Sequence, residues 1–379
     1  MVKQDTFTLE QFVDKYETVV DYNLGETCCY SMSLDEIEEI SGEKFDFGKL
    51  AETRLSYSYI KGSPELRRQI SELYQGVTDD DIVITNGGIG GNFLTFYSLV
   101  GPGDHVVVMS PIYQQLSSIP AMFGADVDIL RLNFEDGFQP DLSKLRSLVK
   151  PNTKMIVLNN PNNPTGCIMS NKVLKQIVDI AKINDSYVLC DEVYRPLFHS
   201  LNADETAPNS IVGLYDKGIS TGSMSKTFSA AGTRLGWIVS KNKELIEACW
   251  IRRDYNMISV SMVDDMIARY VLRNKAAVLK RNFKLCQDNL ELMEQAVAKS
   301  NGKIEFVRPK AGTTAFVKIN TTDGTSTMQL AVDLATSYRT LVVPGETFSY
   351  PGFLRIGFVN RPEDIVQGMK NLNSYLNNH

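Results

Sequence analysis

The sequence predicts an α/β protein. A mostly parallel sheet, covered by helices on both faces, forms a large unit, and a smaller α+β unit accompanies it. Three observations lead there. The 379 residues are 43% hydrophobic, enough to fill one large core with an appendage or two domains. Between Asp81 and Val239, short apolar runs alternate with helical patterns, the signature of a sheet buried on both faces. After Lys241 the chain reads as helical to Lys299 and then mixes strands with helices. We expect residues 1–45 to join the small unit, 46–275 to form the large one, and 276–379 to form the small one.

The elements follow in order. Gln11–Tyr22 has the pattern of a short amphipathic helix. Ser33–Ile40 reads as a helix with Ser33 as its cap and Glu36 closing a capping box. Pro64–Tyr74 reads as a helix with proline in its first turn. Strands are expected at Ile82–Thr85, His105–Met109, Ala125–Leu132, Lys154–Leu158, Tyr187–Cys190, Gly218–Gly222 and Leu235–Val239. Helices are expected at Asn92–Val100 and Asn171–Ile183. The tail offers strands at Ala315–Ile319, Leu341–Val343 and Phe353–Phe358, a helix at Ser326–Ser337 and a last helix from Pro362.

Composition narrows the function. A net charge of −6 and the lack of a basic run argue against nucleic-acid binding. No run reaches the roughly 18 apolar residues of a membrane span. Residues 1–22 are charged and carry no apolar signal-peptide core. Six cysteines show no CxxC spacing, so we expect core thiols in a reducing, cytoplasmic compartment. Histidines occur only at 105, 199 and 379, which gives no basis for a metal centre.

Candidate site residues sit where strands end, the edge at which open α/β sheets bind ligands. Ser223-Met-Ser225-Lys226-Thr-Phe-Ser places one lysine among small and hydroxylated residues, with Arg234 eight positions on. Such a setting suits a Schiff-base lysine beside a phosphate. Gly87-Gly88-Ile89-Gly-Gly lies between a strand and a helix. It is either a tight turn or a place where backbone N–H groups approach a phosphate. Tyr113 follows the strand at 105–109, as a buried loop tyrosine or a ring for stacking. Asn159-Asn-Pro-Asn-Asn163-Pro-Thr-Gly166 follows the next strand, and Asp191-Glu192-Val-Tyr194 the one after it. Arg355, in the apolar run Phe353–Phe358, needs a partner. A bidentate carboxylate would serve, as would a structural ion pair. Neighbouring strand-end side chains point apart, which makes Glu192 a poor substitute for Asp191.

Taken together and in this order, these segments resemble the class I/II, fold-type-I aminotransferases that use pyridoxal 5'-phosphate. The match runs from about residue 25 to 358. The resemblance implies that residues 46–275 form the cofactor-binding domain and that Lys226 carries the cofactor as an internal aldimine and later moves a proton. Asp191 would face the pyridine nitrogen, and Tyr194 and Asn163 the phenolic oxygen. Tyr113 would stack on the ring. Gly87, Gly88, Ile89, Ser223, Ser225 and Arg234 would hold the phosphate. Arg355, with Gly25 and Asn163, would bind the substrate carboxylate. Leu55-Ser-Tyr57-Ser-Tyr59-Ile-Lys-Gly62 matches a segment whose tyrosine reaches the partner subunit's cofactor in a homodimer, with Tyr57 the better match and Tyr59 the reserve. The implied activity moves an amino group between an α-amino acid and a 2-oxo acid, without nucleic acid, membrane or metal.

Two segments depart from the family pattern. The substrate loop reads Asn23-Leu-Gly25-Glu-Thr-Cys-Cys29 in place of Gly-Glu-Pro. Arg253–Asp265 replaces a Ser-Asn-Pro segment with glutamine. Both features resemble the branch that contains capreomycidine synthase, which keeps β-elimination, replacement or cyclisation open beside transamination. A third alternative is a PLP-binding regulator without turnover. Arg252 and Arg253 are candidates for a distal substrate carboxylate, or else solvated helix residues.

Overall fold

A computed structural model describes residues 4–57, 59–320 and 324–378; His379 lies outside them. Seven strands form the large sheet: β1 (Ile82–Asn86), β2 (His105–Ser110), β3 (Asp126–Arg131), β4 (Thr153–Asn159), β5 (Tyr187–Asp191), β6 (Gly218–Ser223) and β7 (Leu235–Val239). Their order across the sheet is β1-β7-β6-β5-β4-β2-β3. β7 runs antiparallel to both neighbours, and every other pairing is parallel. Side chains alternate along β2 between two cores: Val106 and Val108 join one, Val107 and Met109 the other. This is why the strands read as unbroken apolar runs.

The topology decides where the chemistry gathers. β4, β5 and β6 end at one edge, with Asn159 beside Asp191 and Asp191 beside Thr221. Because β7 is reversed, its first residues lie at that same edge, with Gly236 beside Ser223 and Leu235 beside Asn86. Arg234, just before β7, is thereby brought to the ends of β1 and β6.

A second, antiparallel sheet has β8 (Ile304–Phe306), β9 (Thr314–Ile319), β10 (Val343–Pro344) and β11 (Phe353–Gly357) in the order β10-β11-β9-β8. Its core takes Leu290 and Met293 from the long helix Lys275–Ala298 and Met369 and Leu372 from the helix Pro362–Asn378. It also takes Phe12, Tyr16, Leu24 and Cys29 from the N-terminal segment.

Several elements differ from expectation. The first helix is Thr8–Tyr16, and Tyr22–Asn23 instead pairs parallel with Thr340–Leu341. The expected strand Leu341–Val343 is divided: Thr340–Leu341 joins that pair while Val343–Pro344 joins the small sheet. The helix expected from Asn92 begins at Gly87, so the glycine run is its first turn rather than a preceding loop. Those glycines allow close packing. A Cβ on Gly88 would stand 3.0 Å from Val193 Cγ1, and one on Gly91 3.4 Å from Ile238 Cγ1. Ser33 and Glu36 do form the capping box, on a helix at Leu34–Ser41.

A close backbone approach joins β7 to the start of that glycine-rich helix. A methyl group on Gly236 would lie 2.2 Å from the carbonyl carbon of Gly87 and 2.5 Å from the nitrogen of Gly88. Both are backbone atoms and cannot swing aside. Gly236→Ala should therefore destabilise the chain by about 3 kcal/mol, the upper end of ordinary overpacking. Urea unfolding of the two proteins measures this; equal midpoints and slopes would contradict the packing.

Candidate active site

One cavity of about 430 Å³ lies at the shared strand edge, between the two sheets. Asp191, the last residue of β5, is buried in its wall. Its Oδ2 accepts from Asn92 Nδ2 at 2.9 Å and its Oδ1 from the N–H of Val193 at 3.1 Å. Asn92 is oriented in turn by Thr221 Oγ1, which donates to its side-chain oxygen at 2.7 Å. Burial pushes the Asp191 carboxyl up to about 6, against the pull of Asn92 and Val193. Glu192 faces elsewhere, accepting from the N–H of Ile211 and from Ser220 Oγ.

Lys226 reaches into the cavity from the turn after β6. Its Nζ donates to Thr27 Oγ1 at 2.7 Å and lies 3.4 Å from Cys28 Sγ. A Schiff-base lysine calls for an amine with a lowered pKa, and in the free protein the balance goes the other way. Burial pushes Lys226 down, but Cys28, Tyr194 and Glu26 raise it further, and it stands above the ordinary lysine value. Glu26 is the one of the three that ionises well below neutral pH, so the amine is held as an ammonium. Burial raises the Cys28 thiol to about 11, leaving it neutral.

A second cation is Arg355 on β11. Only 3% exposed, it has no carboxylate partner among the described residues. Nη2 donates to the carbonyl of Gly25 at 2.8 Å, Nη1 to Asn163 Oδ1 at 3.3 Å, and Nε has no partner. Asn163 is fixed by its own N–H, which donates to Asn159 Oδ1 at 2.5 Å. Gly25, Asn163 and Arg355 thus meet at one point. Tyr194 is buried beside Lys226 and Arg355, and burial raises its phenol. Tyr113 lines the cavity, packs on Phe7 at 5.0 Å between ring centres and donates to Glu10 at 2.6 Å.

At the opposite end, Arg234 sits in left-handed backbone, φ +44°, with Nη1 donating to the carbonyl of Ala231 and to Ser225 Oγ. A Cβ on Gly87 would be 2.8 Å from Arg234 Nη2. Ser223, Ser225, Gly88 and Ile89 line the same end. Asn86 makes no side-chain cap to the helix that starts at Gly87. Uncapped helix N–H groups, two hydroxyls and a guanidinium make a phosphate seat. A buried carboxylate without a cation, an amine and an unpartnered guanidinium make the remainder of a pyridoxal-phosphate site. The residues present fit that cofactor.

A family model described as aminotransferase class I and II matches residues 36–369. The chain belongs to that family. It is a pyridoxal-phosphate-dependent aminotransferase, acting on an amino acid and a 2-oxo acid. An aspartate aminotransferase of Thermotoga maritima is 27% identical over 373 residues, 96% of this chain and 93% of the relative. Capreomycidine synthase of Streptomyces vinaceus is 28% identical over 318 residues, 84% of this chain and 80% of the relative. The solved structure of a PLP-dependent aminotransferase from Streptococcus suis 89-1591 superposes with a TM-score of 0.93 at 36% identity, covering 99% of this chain and 98% of that one.

Tyr57 and Tyr59, expected to serve a partner subunit's site, lie outside this aminotransferase's own cavity, as do Arg252 and Arg253. Tyr57 is 68% exposed on the outer surface, and Tyr59 is exposed too. Arg253 is not a solvated helix residue: it is 1% exposed, stacked on Trp250, and its Nη2 donates to the carbonyl of Ile258. Asn92, Thr27 and Cys28 are cavity residues that the motif reading did not assign. The available signal for Asn92 was a polar side chain within an otherwise apolar helix, which must find a partner when buried. All six cysteines are buried and unpaired, and no described helix is long and apolar enough to cross a membrane.

The Asp191 value has a consequence for the cofactor-free protein. The folded chain holds this proton up to pH about 6, the unfolded chain only to 3.8. Stability from the neutral carboxyl is therefore full below pH 4 and lost as the pH rises through 6, by about 3 kcal/mol. Denaturant unfolding of the apoprotein between pH 4 and 7 should show this fall in the wild type and not in Asp191→Asn. Parallel profiles would mean that Asp191 is not desolvated.

Proposed function

We propose that this aminotransferase works through Lys226, Asp191, Tyr194 and Arg355 and that it does so as a cytoplasmic homodimer. The observation that carries the assignment is the Nε of Arg355: a buried, unpartnered donor in the cavity that also holds Lys226 and Asp191. Pyridoxal phosphate, when bound, supplies a carbonyl that condenses with amines and a ring that withdraws electrons from the substrate α-carbon. Arg234, Ser223, Ser225 and the N–H groups at Gly87, Gly88 and Ile89 hold the phosphate. Asp191, oriented by Asn92, would hold a proton on the ring nitrogen by offering a buried carboxylate. Tyr194 and Asn163, which line the cavity, would face the phenolic oxygen, and Tyr113 would cover the ring. Arg355 takes the substrate carboxylate through Nε without giving up either present bond, while Gly25 fixes the guanidinium. With the cofactor bound, Lys226 Nζ in its neutral form would take the proton from the α-carbon and return it, steadied by Thr27.

The homodimer rests on the exposed strip around Leu55, Tyr57 and Tyr59, with Tyr255 and Ile258 exposed as well. Large apolar side chains on a surface strip suit a buried interface. On this reading Tyr57 reaches the partner subunit's phosphate. Six unpaired thiols suit the reducing cytoplasm.

A second reading is favoured by the Thr27–Cys28 pair on Lys226, which replaces the family's usual loop sequence and gives the amine two hydrogen-bonding neighbours. The relative named capreomycidine synthase belongs to this reading, in which the same groups serve elimination or cyclisation. Mass spectrometry of the products separates the two: transamination yields a 2-oxo acid and an aminated acceptor, and cyclisation yields neither.

After borohydride reduction of the loaded protein, the cofactor mass should stay on the peptide containing Lys226, and Lys226→Ala should lose both that label and turnover. A label on any other lysine contradicts the assignment. Arg355→Lys keeps the charge but loses the fork. It should raise KM for an α-amino acid about thirtyfold or more, in line with roughly 2–5 kcal/mol for a desolvated charge pair, and should affect the decarboxylated amine far less. Equal losses for acid and amine would remove Arg355 from the carboxylate.

A further inference from the structure

The loop that departs from the family pattern puts a hydroxyl between two groups of the active site. Where the pattern has Gly-Glu-Pro, this chain has Gly25-Glu26-Thr27. We propose that Thr27 is a positioning residue, whose hydroxyl joins Lys226 Nζ to the Tyr194 phenol in one directed chain of hydrogen bonds, so that amine and phenol act together. The inference rests on the reading above, in which Lys226 and Tyr194 serve the cofactor, and deepens it. The three linked groups belong to one subunit. On that reading Tyr57 of the partner subunit reaches the phosphate end of the cavity instead.

The placement of the hydroxyl follows from the backbone around it. Thr27 is buried in the cavity wall, and its main chain is held from both sides. Its N–H donates to Glu26 Oε1 at 2.6 Å, and its carbonyl accepts from Thr313 Oγ1 at 2.8 Å. The same Glu26 oxygen accepts from the N–H of Cys28 at 2.7 Å, which closes a tight turn about the threonine. None of these bonds uses the hydroxyl. A proline at this point would lack both the N–H that Glu26 takes and the hydroxyl that Lys226 takes.

Donor and acceptor roles give the chain a direction. A threonine hydroxyl has one hydrogen and two lone pairs, and an ammonium has only hydrogens. Lys226 Nζ donates to Thr27 Oγ1 at 2.7 Å, so the hydroxyl hydrogen is free to point elsewhere. It goes to Tyr194: the side-chain hydrogen bond from Thr27 pulls that phenol down against the burial that raises it. A hydrogen donated to the phenol oxygen has this effect. Tyr194 then keeps its own hydrogen for the cofactor's phenolic oxygen. Each donated hydrogen polarises the next, so a proton gained by Lys226 strengthens the hydrogen that Tyr194 offers. With one N–H tied to Thr27, the neutral amine also has its lone pair held in one direction. Cys28, Glu26 and Arg355 face Lys226 as well, and Arg355, Asp191 and Tyr113 face Tyr194. Substitutions at Thr27 leave all of these in place.

The test compares Thr27→Val, which keeps the shape and both backbone bonds, with Thr27→Ser, which keeps the hydroxyl. The first readout needs no turnover. In the protein loaded with pyridoxal phosphate, the pH midpoint of the cofactor's visible absorbance should rise by about half a unit in Thr27→Val, because a weaker Tyr194 donor gives less support to the form that has lost its proton. Thr27→Ser should restore the midpoint. In steady state Thr27→Val should lower kcat about tenfold, as for one lost hydrogen bond to a charged group, and change KM by less than about twofold. Thr27→Ser should recover most of that loss. A double-mutant cycle separates action through the phenol from action on the amine alone: in Tyr194→Phe, adding Thr27→Val should move the midpoint no further. A midpoint or kcat unmoved in Thr27→Val, a change that Thr27→Ser fails to reverse, or shifts that add in the double variant overturn the proposal and leave the roles of Lys226 and Tyr194 intact. A wild-type protein whose absorbance does not titrate, and whose Lys226 takes no label on borohydride reduction, overturns the Lys226 assignment and this link together.

Discussion

The burial of Arg355 without a counter-anion is the constraint around which this structure is arranged. A guanidinium at 3% exposure would ordinarily demand a carboxylate. Here it has the carbonyl of Gly25 and the side-chain oxygen of Asn163, both neutral, and one nitrogen unmet. The three residues come from three parts of the chain: the N-terminal loop, the turn after β4 and the small sheet. The unmet donor costs stability in the free protein and becomes an asset once a carboxylate arrives. Asp191 is the mirror case, a buried carboxylate whose neighbours are amide groups and not cations. Each of these buried charges is supported by neutral dipoles that orient it, and each leaves the opposite charge to be brought by a ligand.

Neutral support also explains the polar side chains deep in the large sheet. Thr221 orients Asn92, and Asn92 orients Asp191. Asn159 donates to the carbonyl of Asp191 and accepts from the N–H of Asn163. One chain of hydrogen bonds therefore runs from the centre of the sheet to the Arg355 contact. Polar groups so buried must be fully paired to be tolerated, and once paired they hold their orientation. That rigidity lets the ends of separate strands act as one site.

Much of this was legible in the sequence, and the limits have physical causes. The helix Asn171–Ile183 and the strand Leu235–Val239 stand where their periodicity places them, because each has a long pattern or clear breakers at both ends. The helix Gln115–Met122 went unread because Pro120 interrupts its pattern and its moment is weak. β8 has only three residues, too few for alternation to register. The start of the glycine-rich helix was misplaced because glycine has low helix propensity, while packing against β6 and β7 overrides it. In the site, residues within contiguous motifs were findable. Asn92 and Thr27 were not, since each is one polar residue whose partner lies 99 or 199 positions away.

The N-terminal loop shows why such partners matter. Residues 24–28 supply the Gly25 carbonyl to Arg355 and the Thr27 and Cys28 side chains to Lys226. Their position is set from the opposite end of the chain. A Cβ on Gly357 would stand 1.8 Å from the carbonyl oxygen of Glu26, and one on Gly368 would stand 2.3 Å from Leu24 Cδ1. The N–H of Gly357 donates to the carbonyl of Leu24, and Thr313 Oγ1 to that of Thr27. The loop therefore lies in a slot that exists only when β9, β11 and the C-terminal helix are packed. Lys226, on the large sheet, receives its partners from a loop moulded by the small one. Site assembly is thus tied to the docking of the two sheets, and a substitution at Gly357 or Gly368 would act on the chemistry of Lys226 without touching the cavity.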